Sequence, residues 1–246
     1  MAVANVTCPR AADIILMIDH STSIAVGDPQ HNNWFQILAF AKRIAGAFPI
    51  GTNLTRFGLL TFGSGVAIAF HLNRYGDRNS LLRAIDDVHI NGGQTNIAAA
   101  LRTAREIMFA ERHGARPGVP KILILLTDGT DNREAYQTLL EADQTKAANI
   151  TIFTVGVTHR VYDYRLREIA STPEHFFFAS NFTELNSVLQ KLVEDSCSEA
   201  ATPPAVNTTP AATTTTTTPT TPTTTTTTTT ERTNRGMLHR VLFESE

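Results

Sequence analysis

Asp13 to Ser23, DIILMIDHSTS, is the stretch whose reading decides the fold. Ile14, Ile15, Leu16, Met17 and Ile18 form an unbroken apolar run, too short for a typical helix and suited to a parallel strand buried on both faces. The run stops at an acid, Asp19, and Ser21 and Ser23 follow at alternate positions, which an extended loop would turn to one side. In an open α/β sheet, ligands bind in the crevice beyond the carboxyl ends of the strands, where the strand order reverses. Three hard oxygens are therefore expected to converge there.

A second run repeats the pattern. Val119 to Thr127, VPKILILLT, is a fully apolar strand that also stops at an acid, Asp128, followed by Gly129. If the two strands are neighbours at the point of reversal, Asp19 and Asp128 emerge side by side, and a cation between them relieves their repulsion. Thr95 lies beyond Gly92 and Gly93, in a loop whose glycines permit backbone shapes other residues resist, so its hydroxyl is a third candidate beside those of Ser21 and Ser23. Hydroxyls and carboxylates fit a hard divalent ion. The set lacks the thiolates and imidazoles expected of a zinc site.

The spacing of apolar residues predicts helices over Trp34 to Phe48, Arg78 to Asp87, Ile97 to Glu111, Asn132 to Ala147, Tyr162 to Ala170 and Phe182 to Asp195. It predicts further strands over Thr55 to Thr61, Val66 to Phe70, Ile150 to Val157 and Phe176 to Ala179, the first two joined as a hairpin. Such alternation implies an α/β fold with a mostly parallel, doubly wound sheet and helices on both faces. Asp131 is expected to cap the helix after it.

The 246 residues carry a formal charge of -2 and a pI near 6.4, with no polybasic signature, so no nucleic-acid partner is expected. No run reaches the ~20 apolar residues that span a bilayer, and neither a transmembrane segment nor a signal peptide is visible. No G-x-S-x-G elbow supports a hydrolase, and the chain is not read as an enzyme. Cys8 and Cys197 flank nearly everything that looks folded. Two separate thiols would suit a cytosolic protein, but the placement favours a disulfide. Sequons begin at Asn5, Asn53, Asn149, Asn181 and Asn207, candidate N-glycosylation sites in a secreted chain. Domain boundaries are expected as a lead-in (1–12), a folded domain (13–197), a Thr/Pro-rich, mucin-like linker (198–230) and a disordered tail (231–246).

These residues resemble the von Willebrand factor A domain with its metal-ion-dependent adhesion site. Asp19, Ser21 and Ser23 look like its D-x-S-x-S motif, Gly92, Gly93 and Thr95 its G-G-x-T loop, and Thr127, Asp128 and Gly129 its T-D-G. The resemblance covers about residues 8 to 197, and the bracketing cysteines are most like the secreted matrilin and collagen branch. It implies a six-stranded sheet with one antiparallel edge strand. It also implies Mg2+, with Mn2+ or Ca2+ as alternatives, bound directly by Ser21 and Ser23, with Thr95 joining in the ligand-competent state and Asp19 and Asp128 acting largely through water. The partner implied is a protein presenting Asp or Glu, collagen or another matrix protein among the candidates. Localisation is expected to be extracellular, with an incomplete N-terminus, since Met1 lies seven residues before Cys8, although an intracellular A domain would fit the absence of a signal peptide equally well. The alternative is a structural matrix component whose metal site is not its main ligand site.

Overall fold

The computed structural model describes residues 8, 10–25, 32–129, 131–159, 161 and 163–201. The chain divides into two units, Met1–Val206 and Asn207–Glu246, and every described residue falls in the first. The Thr-rich tract, the C-terminal tail, Asn5 and Asn207 lie outside the described residues.

In chain order the elements are β1 (Asp13–Asp19), α1 (Thr22–Ala25), α2 (Asn32–Gly46), β2 (Arg56–Phe62), β3 (Val66–Phe70), α3 (Arg78–Asp86), α4 (Ile97–Thr103), β4 (Lys121–Thr127), α5 (Thr138–Ala147), β5 (Ile150–Val157), α6 (Asp163–Ile169), β6 (Phe176–Ala179) and α7 (Leu185–Ala201). They build one six-stranded sheet ordered β3-β2-β1-β4-β5-β6. Only β3 runs antiparallel, at the edge, beside β2. β1 lies at the centre, parallel to β2 on one side and β4 on the other.

All seven residues of β1 are buried, and the two-residue period of a strand divides them between two cores. Ile14, Leu16 and Ile18 pack with Trp34, Ile37 and Phe40 of α2 and Leu189 and Leu192 of α7. Ile15 and Met17 pack with Ile97 and Leu101 of α4 and Ile169 of α6. Each such side chain contributes about 1.5–3 kcal/mol on burial, so the sheet is held from both faces. Trp34 belongs to the core, and its indole N–H donates to the Val88 carbonyl at 2.9 Å.

The sequence places the strands within two residues, but several helices differ. α5 starts at Thr138 rather than Asn132, because the backbone N–H groups of Asn132 and Arg133 both donate to the Thr95 carbonyl and Glu134 takes a left-handed φ of 55°. The helix expected over Ile97 to Glu111 is α-helical only to Thr103, then widens to a π-turn over Ala104–Met108. α7 begins after a 3-10 turn, Phe182–Glu184, and continues through Cys197 to Ala201, past the boundary expected at residue 197. Nothing between Asp195 and Ala201 breaks a helix, and Ser196 and Ala200 are buried beneath it.

Cys8 and Cys197 are joined by a disulfide with Cα atoms 5.4 Å apart. The Cys8 N–H also donates to the Ala47 carbonyl at 3.0 Å, so the lead-in, the end of α2 and the last turns of α7 are tied together. The bond closes a sequence separation of 189 residues. A Cys8→Ser, Cys197→Ser variant is therefore expected to lose up to about 5 kcal/mol, the chain-entropy limit for so long a loop. Urea unfolding of oxidised and double-mutant protein measures the difference.

Candidate metal centre

The crevice at the carboxyl edge lies between β1 and β4, where the chain has gone first to β2 and β3 and then turns to β4, β5 and β6. Ile18 pairs with Leu126, so the two strands end together and deliver Asp19 beside Thr127 and Asp128. Asp19 is wholly buried, and both carboxylate oxygens are engaged. Oδ1 accepts the Ser21 backbone N–H at 2.7 Å, and Oδ2 accepts the Thr127 hydroxyl at 2.5 Å. Burial pushes its pKa up from 3.8 to about 6, against the lowering effect of the Thr127 and Ser21 hydrogen bonds.

Ser23 does not sit in an extended loop as expected; it lies within the helical turn α1. The turn still brings its hydroxyl to 2.9 Å from that of Ser21. Ser23 donates its single proton to Asp128 Oδ1 at 2.6 Å, so Ser21 is the donor to Ser23. Thr95 joins from the other side. Its N–H donates to Asn132 Oδ1 at 2.9 Å, its carbonyl accepts from Asn132 and Arg133, and among the described residues no hydrogen bond uses its hydroxyl.

Gly129 marks the space that these groups border. A Cβ placed on it would stand 3.3 Å from Thr95 Oγ1, 3.5 Å from Ser23 Oγ and 3.9 Å from Asp19 Oδ2. With Ser21 and Asp128 bonded to Ser23, five oxygen-bearing side chains from three separate segments surround one small volume. Their chemistry fits a hard divalent cation, with two carboxylates for charge and three hydroxyls for coordination. Among the described residues there is no cluster of three or more His, Cys, Asp or Glu side chains, so hydroxyls have to complete any such site.

The loop carrying Thr95 owes its shape to Gly92 and Gly93, with φ of 74° and 111°. It is pinned to α1 by two bonds, Thr22 N–H to the Gly93 carbonyl and Gly93 N–H to Thr22 Oγ1, and to the β2–β3 turn by Gln94 N–H to Ser64 Oγ. His20 fills the space beneath it, with its ring against Gly63 and the Gly92 carbonyl close by. Burial lowers its pKa, against the raising effect of hydrogen bonds with its own backbone and that of Gly92, and so favours the neutral imidazole. Asp131 does not cap the helix after it: α5 begins beyond Gln137, which makes no side-chain cap, and the Asp131 carboxylate instead accepts the hydroxyl of Thr138, the first residue of α5. Sequence reasoning missed Thr127 and Asn132 as supports. Thr127 carried a sequence signal as the first residue of the T-D-G motif, whereas Asn132 had only its position shortly after Asp128.

A family model described as the von Willebrand factor type A domain matches residues 13–191. The chain is 32% identical over 206 residues to the transmembrane cell adhesion receptor mua-3 of Caenorhabditis elegans, covering 82% of this chain and 5% of that protein. It is 30% identical over 191 residues to human matrilin-1, covering 77% of this chain and 37% of that one. It thus spans only a part of the relatives it matches. Among solved structures, proximal thread matrix protein 1 from the mussel byssus superposes with a TM-score of 0.74 at 30% identity, over 78% of this chain and 49% of that one, in a crystal described as having a zinc-occupied MIDAS motif. Zinc can thus occupy that motif in a related protein, although the donors here are not the soft ones zinc prefers.

Three outcomes are expected. Thr127→Val keeps the shape but removes the hydroxyl that holds Asp19, and should weaken Mg2+ affinity about 10–100-fold in calorimetric titration, as loss of a ligand's support does elsewhere. Gly63→Ala would put a Cβ 2.7 Å from both the His20 ring and the Gly92 carbonyl, and should weaken Mg2+ binding by displacing the Thr95 loop. The third is a pH dependence. Because the folded pKa of Asp19 lies above its unfolded value, its contribution to metal-free stability is complete below about pH 4 and is lost as the pH rises through about 6. Urea unfolding in chelator should therefore show wild type losing stability relative to Asp19→Asn over that window, with Mg2+ restoring it above the window and not below.

Proposed function

The chain belongs to the von Willebrand factor type A domain family, and from that premise we propose that it is an extracellular adhesion or matrix protein that captures an acidic residue of a partner through Mg2+. The single observation that carries this reading is the convergence of Asp19, Ser21, Ser23, Thr95 and Asp128 on the space kept open by Gly129. In this reading Ser21, Ser23 and Thr95 bind the ion through their hydroxyls, and Asp19 and Asp128 supply charge largely through water. Mn2+ or Ca2+ would serve the same donors, and the zinc-occupied motif of the byssus protein adds a further candidate. When bound, the ion supplies an electrophilic position that attracts an anionic oxygen.

The residues of the chain do the rest. Thr127 and the Ser21 N–H hold the Asp19 carboxylate in one orientation, so that the acid serves the site without turning toward the incoming partner. Asn132 fixes the backbone of Thr95, which presents the hydroxyl left out of the hydrogen-bond network. The disulfide supports extracellular placement. The partner is a protein presenting Asp or Glu, with collagen or another matrix protein as the leading candidates. No catalytic step is assigned. A structural role in matrix assembly, with the metal serving stability, is the competing reading, and the byssus matrix protein is the likeness that favours it.

Solid-phase binding to immobilised collagen and other matrix proteins, in Mg2+ and in chelator, separates the two. Adhesion predicts chelator-sensitive binding that falls below detection in Asp19→Ala, Ser21→Ala and Thr95→Ala, all with unchanged far-ultraviolet circular dichroism. Binding that persists in chelator and in Asp19→Ala supports assembly through another face.

A further inference from the structure

Three sequons fall among the described residues, and the fold sorts them by edge. Asn53 lies in the turn that leads into β2, and Asn149 directly precedes β5. Both strands belong to the parallel set of β1, so both asparagines stand at the amino edge of the sheet. Asp19 and Asp128 stand at the carboxyl edge, the length of a seven-residue strand away, roughly 20 Å. Asn53 and Asn149 are exposed, and among the described residues neither side chain makes a hydrogen bond. The φ of 57° at Asn149 gives that residue a backbone reason to be Asn, but among the described residues nothing uses the amide of Asn53. Asn181 differs. It follows β6 at the carboxyl edge, and its Oδ1 accepts the Glu184 N–H at 3.1 Å and the hydroxyl of Thr183, its own sequon threonine, at 2.5 Å.

The amino edge is also where the fold is closed. Glu199, near the end of α7, accepts from Thr151 at the start of β5 at 3.3 Å, and the disulfide joins α7 to the lead-in of β1. Bulky, hydrated groups at Asn53 and Asn149 would thus cover the closed end and leave the crevice clear.

We propose that Asn53 and Asn149 carry N-linked glycans, that Asn181 is bare, and that the sugars confine partner access to the carboxyl edge. In each transfer the asparagine Nδ2 loses one proton and forms a C–N bond to the first sugar of a lipid-diphosphate-linked oligosaccharide, and the lipid diphosphate leaves with the bonding pair. The proposal rests on the extracellular part of the reading above and not on its metal.

The test is the full chain secreted from a eukaryotic host behind a cleavable leader, treated with peptide N-glycosidase in 18O-water and mapped by mass spectrometry. Asparagines that carried sugar become 18O-labelled aspartates. Label at Asn53 and Asn149 and none at Asn181 is the expected result. Lack of label at either of the first two, or label at Asn181, overturns the proposal. Asn53→Gln and Asn149→Asp, the latter chosen because Asp tolerates the left-handed backbone, should each remove one glycan from the intact mass. Mg2+ affinity should stay within twofold after deglycosylation under native conditions, and a larger change would overturn the placement of the sugars away from the crevice. Failure to bind Mg2+ with or without sugar would instead count against the metal reading alone.

Discussion

The register of β1 between β2 and β4 is the constraint on which the rest depends. It sets Asp19 opposite Phe62 on one side and ends β1 beside Thr127 on the other, so one buried carboxylate sees a turn from each neighbouring segment. A slip of one residue would turn Ile14, Leu16 and Ile18 toward the other face and exchange the two cores. The same slip would carry Asp19 away from the Thr127 hydroxyl. Core packing thereby fixes the position of the acid, and the crevice inherits its geometry from the hydrophobic effect.

Electrostatics then gives the crevice its purpose. A wholly buried aspartate gains from accepting two hydrogen bonds, yet burial still holds its pKa near 6. With Asp128 bonded through Ser23, the site concentrates negative charge that water reaches poorly. A cation placed among these oxygens would reverse that penalty. The Ser21, Ser23 and Asp128 chain is the arrangement the hydroxyls adopt among themselves, and each hydroxyl keeps lone pairs for a metal.

Much of this was legible in the sequence because it depends on local pattern. Apolar runs ending in Asp19 and Asp128 revealed two buried parallel strands, and the glycines before Thr95 revealed a loop that takes positive φ at Gly92 and Gly93. The supports were not legible, since they join residues far apart in the chain. Thr127 reaches Asp19 across 108 positions, Asn132 reaches Thr95 across 37, and Arg116 clamps the buried Asp13 across 103. No periodicity announces such pairs. Helix boundaries failed for a related reason: residues 132 to 137 have helix-compatible composition, but the N–H groups of Asn132 and Arg133 are engaged by the Thr95 carbonyl and Glu134 takes a left-handed φ.

If Asp19, Ser21, Ser23, Thr95 and Asp128 hold one cation in the crevice bordered by Gly129, the ion is visible by its anomalous scattering. Crystals of the metal-stripped protein soaked in Mn2+ and measured at a wavelength where manganese scatters anomalously test this most directly. One anomalous peak bordered by the hydroxyls of Ser21, Ser23 and Thr95, with a coordination position facing solvent, is the expected result. No peak there at saturating Mn2+, or a peak elsewhere with this crevice empty, would contradict it.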